Sequence, residues 1–128
     1  MARLLGQLDH PTSEEAAARR IARLEHSDSD RLVLAEAGGE VVGLVVLHES
    51  LALERDKPAA KLSAIVVDEA RRGRGIGKAL VEAMEAEARE RGCFVLFLTT
   101  AERRADAHAF YDRLGFEFTG RRYVKVLS

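Results

Sequence analysis

The stretch that most limits what this chain can fold into runs from Leu62 to Gly92. An apolar run, Leu62 and Ala64 to Val67, reads as a buried strand and breaks at the charged turn Asp68-Glu69-Ala70-Arg71. The chain then passes three alternate glycines, Gly73, Gly75 and Gly77, and enters a long segment of helical period. That order places free backbone N–H groups at a helix N-terminus, where about half a positive charge of the macrodipole also sits. Glycines let the main chain approach a ligand that a Cβ would hold off. Arg72, Arg74 and Lys78 add full positive charges beside the same spot. The stretch is expected to bind an anion, most naturally a phosphate or pyrophosphate.

The remaining segments say what packs around it. Residues 2–8 place Leu4, Leu5 and Leu8 at helical spacing, and Asp9-His10-Pro11 breaks that helix. Thr12 or Ser13 can cap a second helix, with Glu14 and Glu15 in its first turn and an Ala17, Ile21, Leu24 stripe to about residue 25. Arg31–Ala37 and Val41–His48, separated by Gly38-Gly39-Glu40, carry a strong hairpin signal. Residues 49–60 read as a loop with some strand character at Leu51 and Leu53, and Lys61–Val67 as the strand feeding the glycines. From Gly75 to Arg91 a helix shows Ile76, Leu80, Ala83, Met84 and Ala88 on one face, and Gly92 ends it. Phe94–Thr99 is apolar throughout, as the middle of a sheet requires. A helix over about Ala105–Leu114 stops at Gly115, and two short strands, Phe116–Thr119 and Tyr123–Leu127, close the chain. The order α, α, β, β, β, α, β, α, β, β predicts one α/β domain over residues 1–128, a mixed sheet with helices on both faces.

A chain of 128 residues suits one core. Lys plus Arg number 20 against 21 Asp plus Glu, a net charge of −1, which gives no reason to expect a nucleic-acid partner. The single cysteine, Cys93, excludes an internal disulfide and reads as a small buried filler; no metal is expected. No apolar run approaches the ~20 residues of a membrane span, and no signal peptide is evident, so a cytoplasmic protein without a membrane partner is the expectation.

The glycine spacing narrows the ligand. A Walker loop needs Gly-Lys-Ser/Thr, and Ala79 follows Lys78; a dinucleotide fingerprint needs its third glycine one residue later. Arg72-x-x-Gly75-x-Gly77 instead resembles the acyl-CoA loop, Gln/Arg-x-x-Gly-x-Gly/Ala, of the GNAT family of N-acetyltransferases. A helix and a strand later, Ala107 to Phe116 is similar to the family's Ala-x-x-Phe-Tyr-x-x-Leu-Gly-Phe. The resemblance spans about residues 1–127 and implies the GNAT fold, mostly antiparallel, with acetyl-CoA as cosubstrate and a primary amine of a small molecule or peptide as acceptor. It implies that Arg72, Gly73, Arg74, Gly75, Ile76, Gly77 and Lys78 hold the pyrophosphate. It also implies that Ile65, Val66 and Val67 pair with the pantetheine arm, one of their N–H groups polarising the thioester carbonyl. The tyrosine matching the family's general acid is Tyr111.

Chemistry supports that role separately. Amine attack on a thioester expels a thiolate, and a phenol of pKa ~10 can hydrogen-bond the sulfur and deliver a proton as charge builds. The base is open among Glu49, His48, His108 and a water chain, since residues 61–67 offer no carboxylate. Two departures stand out. Arg104 occupies a position where many relatives have asparagine, and no strand is read ahead of the first helix, where the family has one, which would leave Arg31–Ala37 as an open edge, with a homodimer or a shortened chain as the expectation. The alternative to an enzyme is a non-catalytic acyl-CoA-binding member of the same family.

Overall fold

A computed structural model of the protein describes residues 4, 12–99, 105–120 and 122–127, with backbone alone at 105 and 106. The expected helix over residues 2–8 lies outside these apart from Leu4, which is helical and buried. Arg104 lies outside them too.

Helix α1 (Glu14–Glu25) begins where Ser13 Oγ accepts the Ala16 N–H at 3.1 Å. Strands β1 (Asp30–Ala37), β2 (Glu40–Ser50) and β3 (Ala59–Val67) form an antiparallel meander. After a single 3₁₀ turn, Glu69–Arg71, come helix α2 (Ile76–Glu90), strand β4 (Val95–Phe97) and helix α3 (Ala105–Arg113). The sheet order is β1-β2-β3-β4, with β4 parallel to β3, so the sheet is mixed and mostly antiparallel.

Alternation along β2 divides the interior in two. Val45 and Leu47 face α2 and α3, where Leu62, Leu80, Val81, Met84 and Tyr111 complete one core. Leu44 and Val46 face the other way, into a smaller cluster with Leu4, Val66 and the half-buried Leu24 of α1. Helices therefore lie on both faces, as the period-2 pattern of a central strand requires. On α2 the buried stripe is Leu80, Val81, Met84 and Ala88; Val81 replaces the expected Ala83, which is exposed. Both choices keep the i, i+3, i+4 spacing, and the larger side chain takes the interior.

Several expectations need correction. Leu51 and Leu53 join no strand and are fully solvent-facing, because β2 has already ended at Ser50 and no partner strand lies alongside. The apolar run Phe94–Thr99 yields only a three-residue β4, and it stands at an edge among the described residues. Phe94 N–H goes to Pro58 O at 2.9 Å, and pairing with β3 stops at Lys61↔Phe97. The closing segments are not strands either: residues 116–120 and 122–127 lack regular structure, and Phe118, Tyr123, Val126 and Leu127 are exposed. β1 pairs only with β2, so its outer edge is free of partners among the described residues. Among them too, no helix is long and apolar enough to cross a membrane.

Candidate functional site

The register of β3 explains how the site opens. Leu47 pairs with Leu62 but Val46 with Ala64, so Ser63 is an extra residue, a bulge whose Oγ reaches Val46 O at 3.4 Å. The bulge switches the faces: Ala60 and Leu62 point into the α2/α3 core, yet Ala64 and Val66 point to the other side. It falls two residues past the last pair with β4. From there to Val67 the β4-side edge of β3 has no strand partner among the described residues, and the gap leads to the turn before α2. Ile65 and Val67 are half-buried, with Val66 buried between them.

At the end of β3, Asp68 caps the 3₁₀ turn through Ala70 N–H (3.3 Å), and its own N–H ties to Val42 O at 2.8 Å. Gly73 and Gly75 then adopt φ of 83° and 81°, a left-handed conformation that other residues reach only with strain. Gly75 caps α2 without a side-chain hydrogen bond, and the first turn carries no acid. Ala79 N–H bonds Gly75 O at 3.0 Å; among the described residues no carbonyl outside the helix meets the N–H groups of residues 73–78. Arg72, Arg74 and Lys78 are exposed around them, Arg72 bracing its Nε on Val67 O at 3.4 Å and Lys78 lying 3.9 Å from Glu82. A Cβ at Gly73 or Gly75 would meet nothing within 4 Å.

Gly77 has a packing role that the sequence did not announce. A Cβ there would come within 3.2 Å of the Phe110 ring, so its missing side chain seats α3 on α2. This contact places Tyr111, the next residue, inside the α2/α3 core at 9% exposure, edge-on to Phe110 (5.1 Å) and Phe116 (5.6 Å). Tyr111 also lines a hollow of about 1370 Å³ bordered by β4, His108 and residues 116–120 and 122–123. Residues 72–78 do not line that hollow, so it and the basic turn are separate features.

The three base candidates fare differently. Glu49 is held by Arg91 (Oε1 to Nη1, 3.0 Å), which also grips Glu87 (2.8 Å) and Asp28 O (3.0 Å). The hydrogen bond to Glu87, with that to Glu49 added, holds the guanidinium pKa up against burial. His48 Nδ1 lies 2.9 Å from Asp30 Oδ1, whose other oxygen accepts from Ser27 Oγ at 2.6 Å. Burial pushes the Asp30 carboxyl up, but the Ser27 and His48 hydrogen bonds, with the charges of His48 and Arg91, outweigh it and leave it below its ordinary value. His108 is half-buried beside Tyr111. Cys93 is half-buried and packs against the larger core, and burial raises its thiol pKa above the ordinary range, as suits a filler. Among the described residues no group of His, Cys, Asp or Glu is placed to hold a metal.

The sequence reading missed the Ser27–Asp30–His48 chain, and only the pairing of β1 with β2 brings its members together. It also missed the Ser63 bulge, which no glycine or proline announces.

Comparison with known proteins bears on this geometry. Residues 3–116 match the family model described as Acetyltransferase (GNAT) family. Over 94 residues the chain is 37% identical to the aminoalkylphosphonate N-acetyltransferase of Salmonella typhimurium, covering 73% of this chain but 61% of that protein's length. It is 33% identical over 119 residues to glucosamine 6-phosphate N-acetyltransferase 1 of Oryza sativa, covering 88% and 70%. An aminoglycoside N-acetyltransferase solved in complex with CoA superposes with a TM-score of 0.86 over 98% of this chain and 85% of that one; at 22% identity this is likeness of fold.

Proposed function

The chain belongs to the acetyltransferase (GNAT) family, and from that premise we propose that it transfers an acetyl group from acetyl-CoA to a primary amine by direct attack in a ternary complex. One observation carries the reading: among the described residues the edge of β3 from the Ser63 bulge on has no strand partner, and it runs into a basic turn where the N–H groups of residues 73–78 meet no carbonyl outside the helix. An extended amide-bearing arm can add to that edge as a strand does, and a pyrophosphate suits the N–H groups of residues 73–78. The residues present therefore fit a CoA thioester.

In this reading Arg72 to Lys78 bind the phosphates, and Ile65, Val66 and Val67 align the arm. An N–H of that edge, aimed at the thioester carbonyl, stabilises the oxyanion as the amine attacks. The Tyr111 hydroxyl protonates the departing sulfur. The acceptor is a small molecule or peptide amine. Two similar proteins are named for amines that carry a phosphonate or phosphate, so 2-aminoethylphosphonate and glucosamine 6-phosphate are the first acceptors to try.

A second reading, a non-catalytic acyl-CoA binder, draws on the depth of Tyr111, a position that packing alone would fill. Tyr111→Phe separates the two. If Tyr111 is the acid, kcat measured by thiol release falls about 100-fold while acetyl-CoA affinity is kept. Unchanged turnover removes the catalytic role.

A further inference from the structure

One row of directly paired residues crosses all four strands: Asp30 on β1, His48 on β2, Lys61 on β3 and Phe97 on β4. Paired residues project from the same face, and here it is the α1 face, opposite Tyr111, because Leu47 and Leu62, one residue along, point into the α2/α3 core. This row is also the last in which β3 and β4 pair, and the Ser63 bulge follows two residues on.

Within the row Asp30 and His48 form an oriented pair. Ser27 Oγ donates to Asp30 Oδ2, and Asp30 Oδ1 lies 2.9 Å from His48 Nδ1. A carboxylate accepts only, so a neutral His48 carries its proton on Nδ1 and leaves Nε2 as a proton acceptor. The His48 side chain is 44% exposed. Across the row, half-buried Lys61 faces His48 from β3, and among the described residues it makes no ion pair closer than 4 Å. The charged groups around the imidazole are thus Asp30 from β1 and Lys61 from β3, with Arg91 acting on Asp30. Glu49 projects from the opposite face to Arg91.

We propose that this row is the acceptor subsite, that His48 Nε2 takes the proton of the acceptor's ammonium group, and that Lys61 meets an anionic substituent of the same acceptor. The assignment rests on the acetyl-transfer reading and deepens it. One strand spacing of ~4.8 Å across and two residues of ~3.3 Å each along put His48 about 8 Å from the start of the gap, so the proton passes from the acceptor to Nε2 along a short chain of waters on the sheet. The step balances. R–NH3+ gives one proton to His48, leaving R–NH2 and an imidazolium facing the Asp30 carboxylate. The amine forms the C–N bond as the C–S bond breaks. Tyr111, on the other face, protonates the thiolate and is restored by the second amine proton; His48 returns its proton to solvent. Base and acid on opposite faces of the sheet put the entering nitrogen on one side and the leaving sulfur on the other. Asp30 is a positioning residue.

The test measures kcat/KM against pH for wild type, His48→Gln and Asp30→Asn, with acetyl-CoA and 2-aminoethylphosphonate or glucosamine 6-phosphate, and compares n-propylamine and glucosamine as counterparts without the anionic group. Melting temperature and acetyl-CoA affinity are checked for each variant. Wild type should show an acidic limb that His48→Gln abolishes, with about a 100-fold lower plateau and unchanged acetyl-CoA affinity. Asp30→Asn should keep the limb and lower the plateau less. Lys61→Met should raise KM for the amines that carry a phosphonate or phosphate and leave the counterparts without one alone. A limb surviving in His48→Gln overturns the base assignment while leaving acetyl transfer intact. Equal KM effects on both amine types overturn the role of Lys61. A wild type that binds acetyl-CoA but acetylates none of these amines counts against the acetyl-transfer reading itself, and the subsite falls with it.

Discussion

Helices α1 and α2 start in opposite ways. At α1, Ser13 Oγ takes up the Ala16 N–H and Glu14 and Glu15 sit in the first turn, so the positive end of the helix is neutralised from within. At α2, a left-handed glycine replaces the cap, no acid occupies the first turn, and Arg72, Arg74 and Lys78 add to the positive end. The far end of α2 repeats the contrast: Arg91 ties it to Glu87, Glu49 and Asp28 O, while Gly92 and Cys93 return their N–H groups to Arg89 and Ala88. Those two ends are closed by the chain's own residues, while the start of α2 is left open and cationic among the described residues. In the proposed reading that end takes the pyrophosphate of acetyl-CoA, and the β3 edge that leads to the same turn would give the rest of the donor a track.

The contrast can be broken at the open end first. Gly75→Glu puts a carboxylate and a strained φ at the α2 cap; acetyl-CoA affinity in a calorimetric titration should fall by 100-fold or more, and retention would dissolve the distinction between the two helix starts. Gly77→Val acts nearby by another route. It drives two methyls toward the Phe110 ring, which a Cβ would already meet at 3.2 Å, and should lower unfolding stability without ligand by about 1–3 kcal/mol in urea titrations. A Gly77→Val protein of full stability would show that the Phe110 contact does not need the glycine.

Ser13→Ala removes the closed end's cap and should cost about 1 kcal/mol, with acetyl-CoA affinity unchanged. The smallest effect is at Asp30. Its carboxyl titrates below its ordinary value in the folded state, so its contribution to stability is present above the unfolded pKa and is lost as pH falls through the folded one. Melting temperatures of wild type and Asp30→Asn should therefore differ near pH 6 and converge below about pH 4. A constant gap would show that the Ser27 and His48 contacts hold the residue whatever its charge.

Much of this was legible because it is local. The Ser13 cap, the Gly38-Gly39 hairpin and the passage from Val67 through Gly75 into α2 are each set by a few neighbouring residues, and the motif at 107–116 coincides with helix α3 and its glycine stop. What was not legible depends on distant partners. β4 is limited to Val95–Phe97 by its pairing with β3, which stops at Lys61, two residues before the bulge. The contact of Phe110 with Gly77 comes from a helix some thirty residues away in the chain. The terminal apolar runs, including Tyr123 to Leu127, have strand composition but no neighbour to pair with among the described residues. Asp30 and His48 meet only through register.

The most direct measurement is the thermal melt of the purified protein with and without acetyl-CoA, repeated on Gly75→Glu. At ligand near 100 times Kd, binding to the native state adds about 2.7 kcal/mol, an upward shift on the order of 10 °C for a domain of this size. The account predicts that shift for wild type and its loss in Gly75→Glu. A wild-type melt that acetyl-CoA leaves unmoved would contradict it.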